Sequence, residues 1–142
     1  MKTKTTLLTV GLLLATMLTA RSQTDANPEP LVIQTMYLNQ DLANQNVNLD
    51  SLLVVYKKNI LDPNPNIKNS KILRHWWGND SRQVVLLFEL DEFSRIQQAF
   101  QQQQQLTEDY LEKNPEFERL WGQAMNQSHH ADEIYRVVNS SR

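Results

Sequence analysis

Hydrophobic residues recur along this chain in two rhythms, every second position and every three to four, and the switches between them give the element order. Residues 31–38, LVIQTMYL, are rich in β-branched and aromatic types and predict a first strand. The polar stretch Asn39 to Asn46 predicts a loop. Leu49, Leu52, Leu53, Tyr56 and Ile60 then form one apolar helical face behind Asn48 as N-cap, with Asp50 in the first turn. Lys57 and Lys58 suit its carboxyl end, and Pro63 and Pro65 stop it. Residues 70–77, SKILRHWW, and 82–90, RQVVLLFEL, predict two strands. The four polar residues Gly78, Asn79, Asp80 and Ser81 between them predict an antiparallel hairpin. The unbroken run Val84 to Phe88 implies that both faces of the sheet are covered. Asp91 can cap a helix carrying Phe93, Ile96, Ala99 and Phe100, continuing through Leu106, Tyr110 and Leu111. Asn114 as cap and Pro115 at the first helical position restart it with the stripe Phe117, Leu120, Trp121 and Met125. Residues 133–138, EIYRVV, predict the last strand.

The order is β-α-β-β-α-β with an extra helix before the last strand, an α+β chain of the ferredoxin-like, split βαβ kind. Right-handed crossovers place both helices on one face of a four-stranded antiparallel sheet. The other face is bare in a monomer, and a second copy covering it gives a homodimer, a dimeric α+β barrel. A mainly helical domain is the alternative reading of the same pattern.

The first 22 residues stand outside this pattern. Lys2 and Lys4 precede the 14-residue run LLTVGLLLATMLTA, and Ala20 and Ser22 fit the −3 and −1 positions of a cut before Gln23. A cut before Arg21 fits less well. The run is short for ~30 Å of hydrocarbon, so a signal peptide is expected rather than an anchor. Residues 23–30 then form a flexible leader, 31–138 one domain, and 139–142 a polar tail. The signal's exit leaves 120 residues, enough for one modest core, with no second apolar stretch to hold the protein in a membrane. The 120 carry 11 Lys plus Arg against 16 Asp plus Glu, a mildly acidic balance that argues against nucleic acid as partner.

The chain has no Cys. Disulfides, a lipid-bearing amino-terminal cysteine, thiol catalysis and cysteine-held metal centres are thereby excluded. Export without disulfides suggests a bacterial periplasm or the cell exterior. Asn-x-Ser triplets at Asn79, Asn126 and Asn139 carry no weight at this composition. Three glycines leave no phosphate loop and no Gly-x-Ser-x-Gly elbow.

The segment ILRHWWGNDSRQVVLLFELDEFSRIQQAF, with its Gly78-x-Asp80-Ser81-Arg82 turn and the late acid Glu89, resembles the central hairpin and helix of the dimeric α+β barrel superfamily. The likeness is to NIPSNAP-like and antibiotic-biosynthesis-monooxygenase-like domains and to secreted bacterial relatives without an assigned role. It covers about a third of the chain in pattern. It implies a small-ligand pocket and, in some members, oxygen-dependent or haem-linked chemistry. No catalytic residue carries over, and the cofactor stays unknown.

Candidate pocket residues come from the hairpin and its neighbours. Strand alternation places His75 with Leu73 and Trp77 on one face, and Arg74 with Ile72 and Trp76 on the other. His75 can serve as base or axial ligand, or be a packed strand-end residue. Glu89 is either a buried acid or the partner of Arg74, Arg82 or Arg136 across strands. Trp76 and Trp77 suit core, dimer contact or ligand platform. Adjacent His129 and His130 would point to opposite faces, so no metal site is expected. The run Gln101 to Gln105 and the acids Glu108, Asp109, Glu112, Glu116 and Glu118 suit a solvated helix face. Two functions remain open: small-molecule binding in a barrel pocket around His75, Trp77, Arg74, Glu89 and Arg136, with enzyme activity undecided, or a non-enzymatic envelope module binding a protein through its acidic helices and the Trp121 stripe.

Overall fold

The computed structural model describes residues 29–39, 47–78 and 80–138, with backbone alone for 127–129. The expected signal peptide, most of the leader, the loop 40–46, Asn79 and the tail 139–142 lie outside the described residues. The elements are β1 (Pro30–Leu38), α1 (Leu49–Tyr56), β2 (Asn69–Arg74), β3 (Gln83–Glu89), α2 (Ile96–Lys113), α3 (Pro115–Ala124) and β4 (Met125–Arg136). The sheet is antiparallel in the order β2-β3-β1-β4. This is the ferredoxin-like arrangement, with α3 as the extra helix. It excludes the mainly helical alternative.

Strand β1 lies inside the sheet, paired from Leu31↔Glu89 to Tyr37↔Gln83 on one side and from Pro30↔Arg136 to Leu38↔Met125 on the other. Its even-numbered residues face the helices. Val32 stands beside Phe88, and Met36 beside Val84. Val84, Leu86 and Phe88 are buried against α1 and α2 with Leu52, Leu53, Ile60 and Ala99. The odd-numbered residues Leu31 and Ile33 face the other way with Val85 and Leu87, and are half-buried. The apolar run of β3 therefore serves two faces, of which this chain covers one.

Asn48 caps α1 as expected, its Oδ1 accepting from Ser51 N at 3.0 Å. The helix widens into a π-helical turn over Lys57–Leu61, closed by Asp62 N donating to the Lys57 carbonyl. Asp91 does not cap the next helix. A 3₁₀ turn at Phe93–Arg95 intervenes, and α2 starts at Ile96. Asn114 stands at the cap position of α3, but its Nδ2 donates back to the Tyr110 carbonyl, so it closes α2 rather than opening α3. Pro115 sits at the first helical position because its missing N–H would have no partner there.

Two strand limits differ from expectation. β2 ends at Arg74, where His75 N bonds to the Gln83 carbonyl and the chain turns through Gly78 at φ 139°. β4 begins at Met125, eight residues before the expected start. The sequence after Met125 is polar, so it lacks the apolar signal, yet the backbone pairs with β1 at Met125–Asn126 and again from His130 to Arg136. The register slips between Met36 and Tyr37, whose partners are His130 and Asn126.

One buried polar residue locks the segment after the π-helical turn. Asn64, 1% exposed, donates from Nδ2 to the Ala99 carbonyl at 2.8 Å and accepts from Asn66 N at 3.0 Å. Burial makes each lost bond costly. Asn64→Ala should lower the unfolding free energy by about 1–3 kcal/mol in urea titrations.

Candidate functional site

The five residues singled out from the sequence do not converge. Glu89 pairs with Leu31 at one end of β3, while Arg74 pairs with Val84 at the other, five positions or about 17 Å away. Arg136 is near Glu89 along the strands, but it opposes Pro30 while Glu89 opposes Leu31, so the two project from opposite faces. Arg74 bonds Asp50 at 2.6 Å and Arg82 chelates Asp80 at 2.9–3.0 Å. Neither holds Glu89, so the expected cross-strand pairs are corrected. The cation near Glu89 is Lys68, whose N donates to the Glu89 carbonyl and whose Nζ bonds Glu29.

His75 lies beyond β2, so strand alternation does not assign its face. Its ring tucks under the turn, where a Cβ on Gly78 would come within 2.7 Å of Nε2. A side chain at residue 78 would collide there and would be strained at that positive φ. Trp76 and Trp77 are 97% and 90% exposed, which removes them from the core. Trp121 in turn is no surface stripe. It is buried and stacks on Tyr56 at 4.4 Å between centroids, with Phe117 at 5.6 Å on its ring.

The structure assembles a different site between the sheet and α2. A cavity of about 550 Å³ opens there, walled by Met36, Phe100, Trp121 and Met125. A size of about 300–1,000 Å³ with apolar walls and few polar groups is that of a ligand pocket. Its polar groups form a chain. Asp132 on β4 faces Gln34 on β1 because the two are register partners, and Gln34 Nε2 donates to Asp132 Oδ1 at 2.9 Å. Gln103 on α2 donates from Nε2 to Gln34 Oε1 and to Tyr56 Oη, both at 3.0 Å. His130 stands at the mouth, its Nε2 3.8 Å from Asp132 Oδ2.

The carboxylate fixes the direction of this chain. An ionised Asp only accepts, so the Gln34 amide must turn its NH₂ toward Asp132. That leaves the Gln34 oxygen facing Gln103, which must answer with its own NH₂. Both Gln103 hydrogens are then used, and Gln103 Oε1 is left buried without a partner, on a residue 7% exposed. A buried polar atom without a partner is costly, and such sites serve ligands or water.

Burial pushes the Tyr56 phenol above its ordinary value, while its hydrogen bonds with Gln103 and Thr107 act in the opposite sense. Tyr56 is therefore a neutral hydroxyl at physiological pH and not a phenolate base. The lining groups with acid–base chemistry are His130, Asp132 and Glu108, all toward solvent.

Two signals for this site lay in the sequence. Gln34 interrupts the apolar phase of strand one, between Val32 and Met36. Gln103 falls three residues after Phe100 and four after Ala99, on the inward side of α2. The glutamine run is thus not wholly a solvated face. Gln101, Gln104 and Gln105 are exposed and Gln103 is core.

No family model and no curated protein matches the chain. Among solved structures, it is similar to SnoaB, a cofactor-independent oxygenase from Streptomyces nogalater, at 8% identity and TM-score 0.48 over 80% of this chain and 96% of that one. It is similar to a dimeric ferredoxin-like protein from an uncultured marine organism, at 17% identity and TM-score 0.49 over 80% and 99%. A third is a dimeric protein of unknown function with a ferredoxin-like fold from Bacteroides fragilis, at 13% identity and TM-score 0.42 over 77% and 96%.

The raised pKa of Tyr56 has a pH signature. Folding favours the protonated phenol, so its stabilisation is complete below the ordinary value of 10.0 and is lost as pH rises through the higher folded value. Urea midpoints between about pH 9 and 11.5 should fall more steeply for the native protein than for Tyr56→Phe.

Proposed function

We propose that the protein binds a small, largely apolar molecule in the cavity between β1, β4, α2 and α3. The observation that carries this reading is a cavity of about 550 Å³ walled by apolar side chains, with the Asp132–Gln34–Gln103 hydrogen-bond chain along one side. Met36, Phe100, Trp121 and Met125 take the apolar body.

The same reading includes a homodimer. Leu31, Ile33, Val85 and Leu87 form an apolar surface on the sheet face that the helices leave open. Leu73 beside them on β2 is 45% exposed. Contiguous apolar surface of this kind is a site of association. A second copy meeting it by a two-fold axis encloses both open faces. Among the described residues no helix is long and apolar enough to cross a membrane. The charged start and short apolar run of the amino-terminal 22 residues support an exported protein, periplasmic or extracellular.

A second reading, a module for a protein partner, rests on Trp76 and Trp77. They project from the hairpin where the expected Trp121 surface does not exist.

Light scattering on the purified protein should give a mass near twice that of one 16.6 kDa chain. Leu87→Lys, which places a charge on the open face, should give a monomer. A monomeric native protein refutes the paired sheet. For the cavity, calorimetric titration with 4-ethylphenol should show binding that Met36→Glu, which puts a charge on the apolar wall, weakens by about 10-fold or more.

A further inference from the structure

Resting on the homodimer reading, the open sheet face carries the information for how two copies meet. We infer that the sheets stack about a two-fold axis running along the strands, so that Lys71 of each copy pairs with Glu133 of its partner. Strand register lays the open face out in rows, because directly opposed residues share a side. One row reads Glu133 on β4, Ile33 on β1, Leu87 on β3 and Lys71 on β2. The next reads Ala131, Thr35, Val85 and Leu73. An apolar centre thus lies between opposite charges on the two outer strands. Lys71 and Glu133 are both exposed and stand three strand spacings apart, about 14 Å. Among the described residues neither forms an ion pair. One oxygen of Glu133 accepts from Tyr135 Oη at 2.9 Å.

Two aligned ways exist to stack such a sheet on its own copy. An axis across the strands keeps the strand order and lays β2 over β2 and β4 over β4. Lysine-bearing edges then face each other, as do glutamate-bearing edges, and Leu73 lies over the β2 edge that carries its own copy. An axis along the strands reverses the order and lays β2 over the partner's β4. Each row then faces itself reversed. Lys71 meets the partner's Glu133, Ile33 meets the partner's Leu87, and the exposed Leu73 meets the small Ala131 of the partner subunit. Charge and side-chain size both select the second arrangement. Stacked sheets lie about 10 Å apart, a gap that a lysine and a glutamate reaching from facing edges can close. Glu89, the remaining charged residue of this face among the described residues, sits in the outermost row with Leu31 and Tyr135. The two ion pairs flank the apolar centre and fix which edge meets which, a use of charge for specificity more than for affinity.

The chain has no Cys, so Lys71→Cys and Glu133→Cys each carry a single thiol. A short bismaleimide should leave either purified variant uncoupled and should join the two when they are mixed and equilibrated, giving a covalent dimer on a denaturing gel. Charge reversal supplies a second readout. Lys71→Glu and Glu133→Lys should each raise the dimer dissociation constant about ten-fold in sedimentation at low salt, because two exposed pairs turn from attraction to repulsion. The variant with both changes should return to the native value, and the differences should shrink in high salt. Coupling of either cysteine variant to itself, no coupling in the mixture, or a double reversal no tighter than the single ones overturns the pairing of β2 with the partner's β4. If the native protein is still a dimer in that case, the covered sheet face survives. A native monomer overturns both.

Discussion

The molecule depends on the hydrogen bonding of β1 along both of its edges. A strand held on two sides cannot slide by one residue without turning its whole apolar set away from the helices. That constraint puts Val32 and Met36 against the core and, in the same phase, Gln34. It also brings β4 back across the sheet, so that the polar first half of β4 lies over the cavity. The pairing of Gln34 with Asp132 is therefore a consequence of register, and the site follows from the sheet.

The polarity of the Asp132–Gln34–Gln103–Tyr56 chain shows how one charge acts at a distance. Amides have no intrinsic direction, since either end can donate or accept. A carboxylate at one end breaks that symmetry and each amide passes the choice inward. The result is a buried acceptor with no partner, which costs folding free energy. The stacked rings of Tyr56, Trp121 and Phe117 hold the far wall. Such ring pairs add about 0.5–1.5 kcal/mol each beyond their buried area.

The open sheet face and the Trp76–Trp77 turn are the other surfaces that the fold leaves unresolved within one chain. They differ in kind. The sheet face is broad and apolar because β3 is apolar in both phases. The His75 ring lies beneath Gly78, Arg82 chelates Asp80 nearby, and the two tryptophans are exposed.

The sequence alone determined the element order, the hairpin, the Asn48 cap and most of the core, because each rests on local periodicity or on turn chemistry. From that order the handedness of crossovers leads to the ferredoxin-like sheet. It did not determine the site. His75, Trp77, Arg74, Glu89 and Arg136 are chemically expressive residues, and the sheet scatters them to two ends and two faces. Gln34, Gln103 and Asp132 are chemically quiet and lie up to 98 positions apart. What joins them is register between β1 and β4 and the seating of α2 on that face. Both are long-range contacts that leave no local signal, since a glutamine on a helix reads as solvated until a neighbouring strand closes over it.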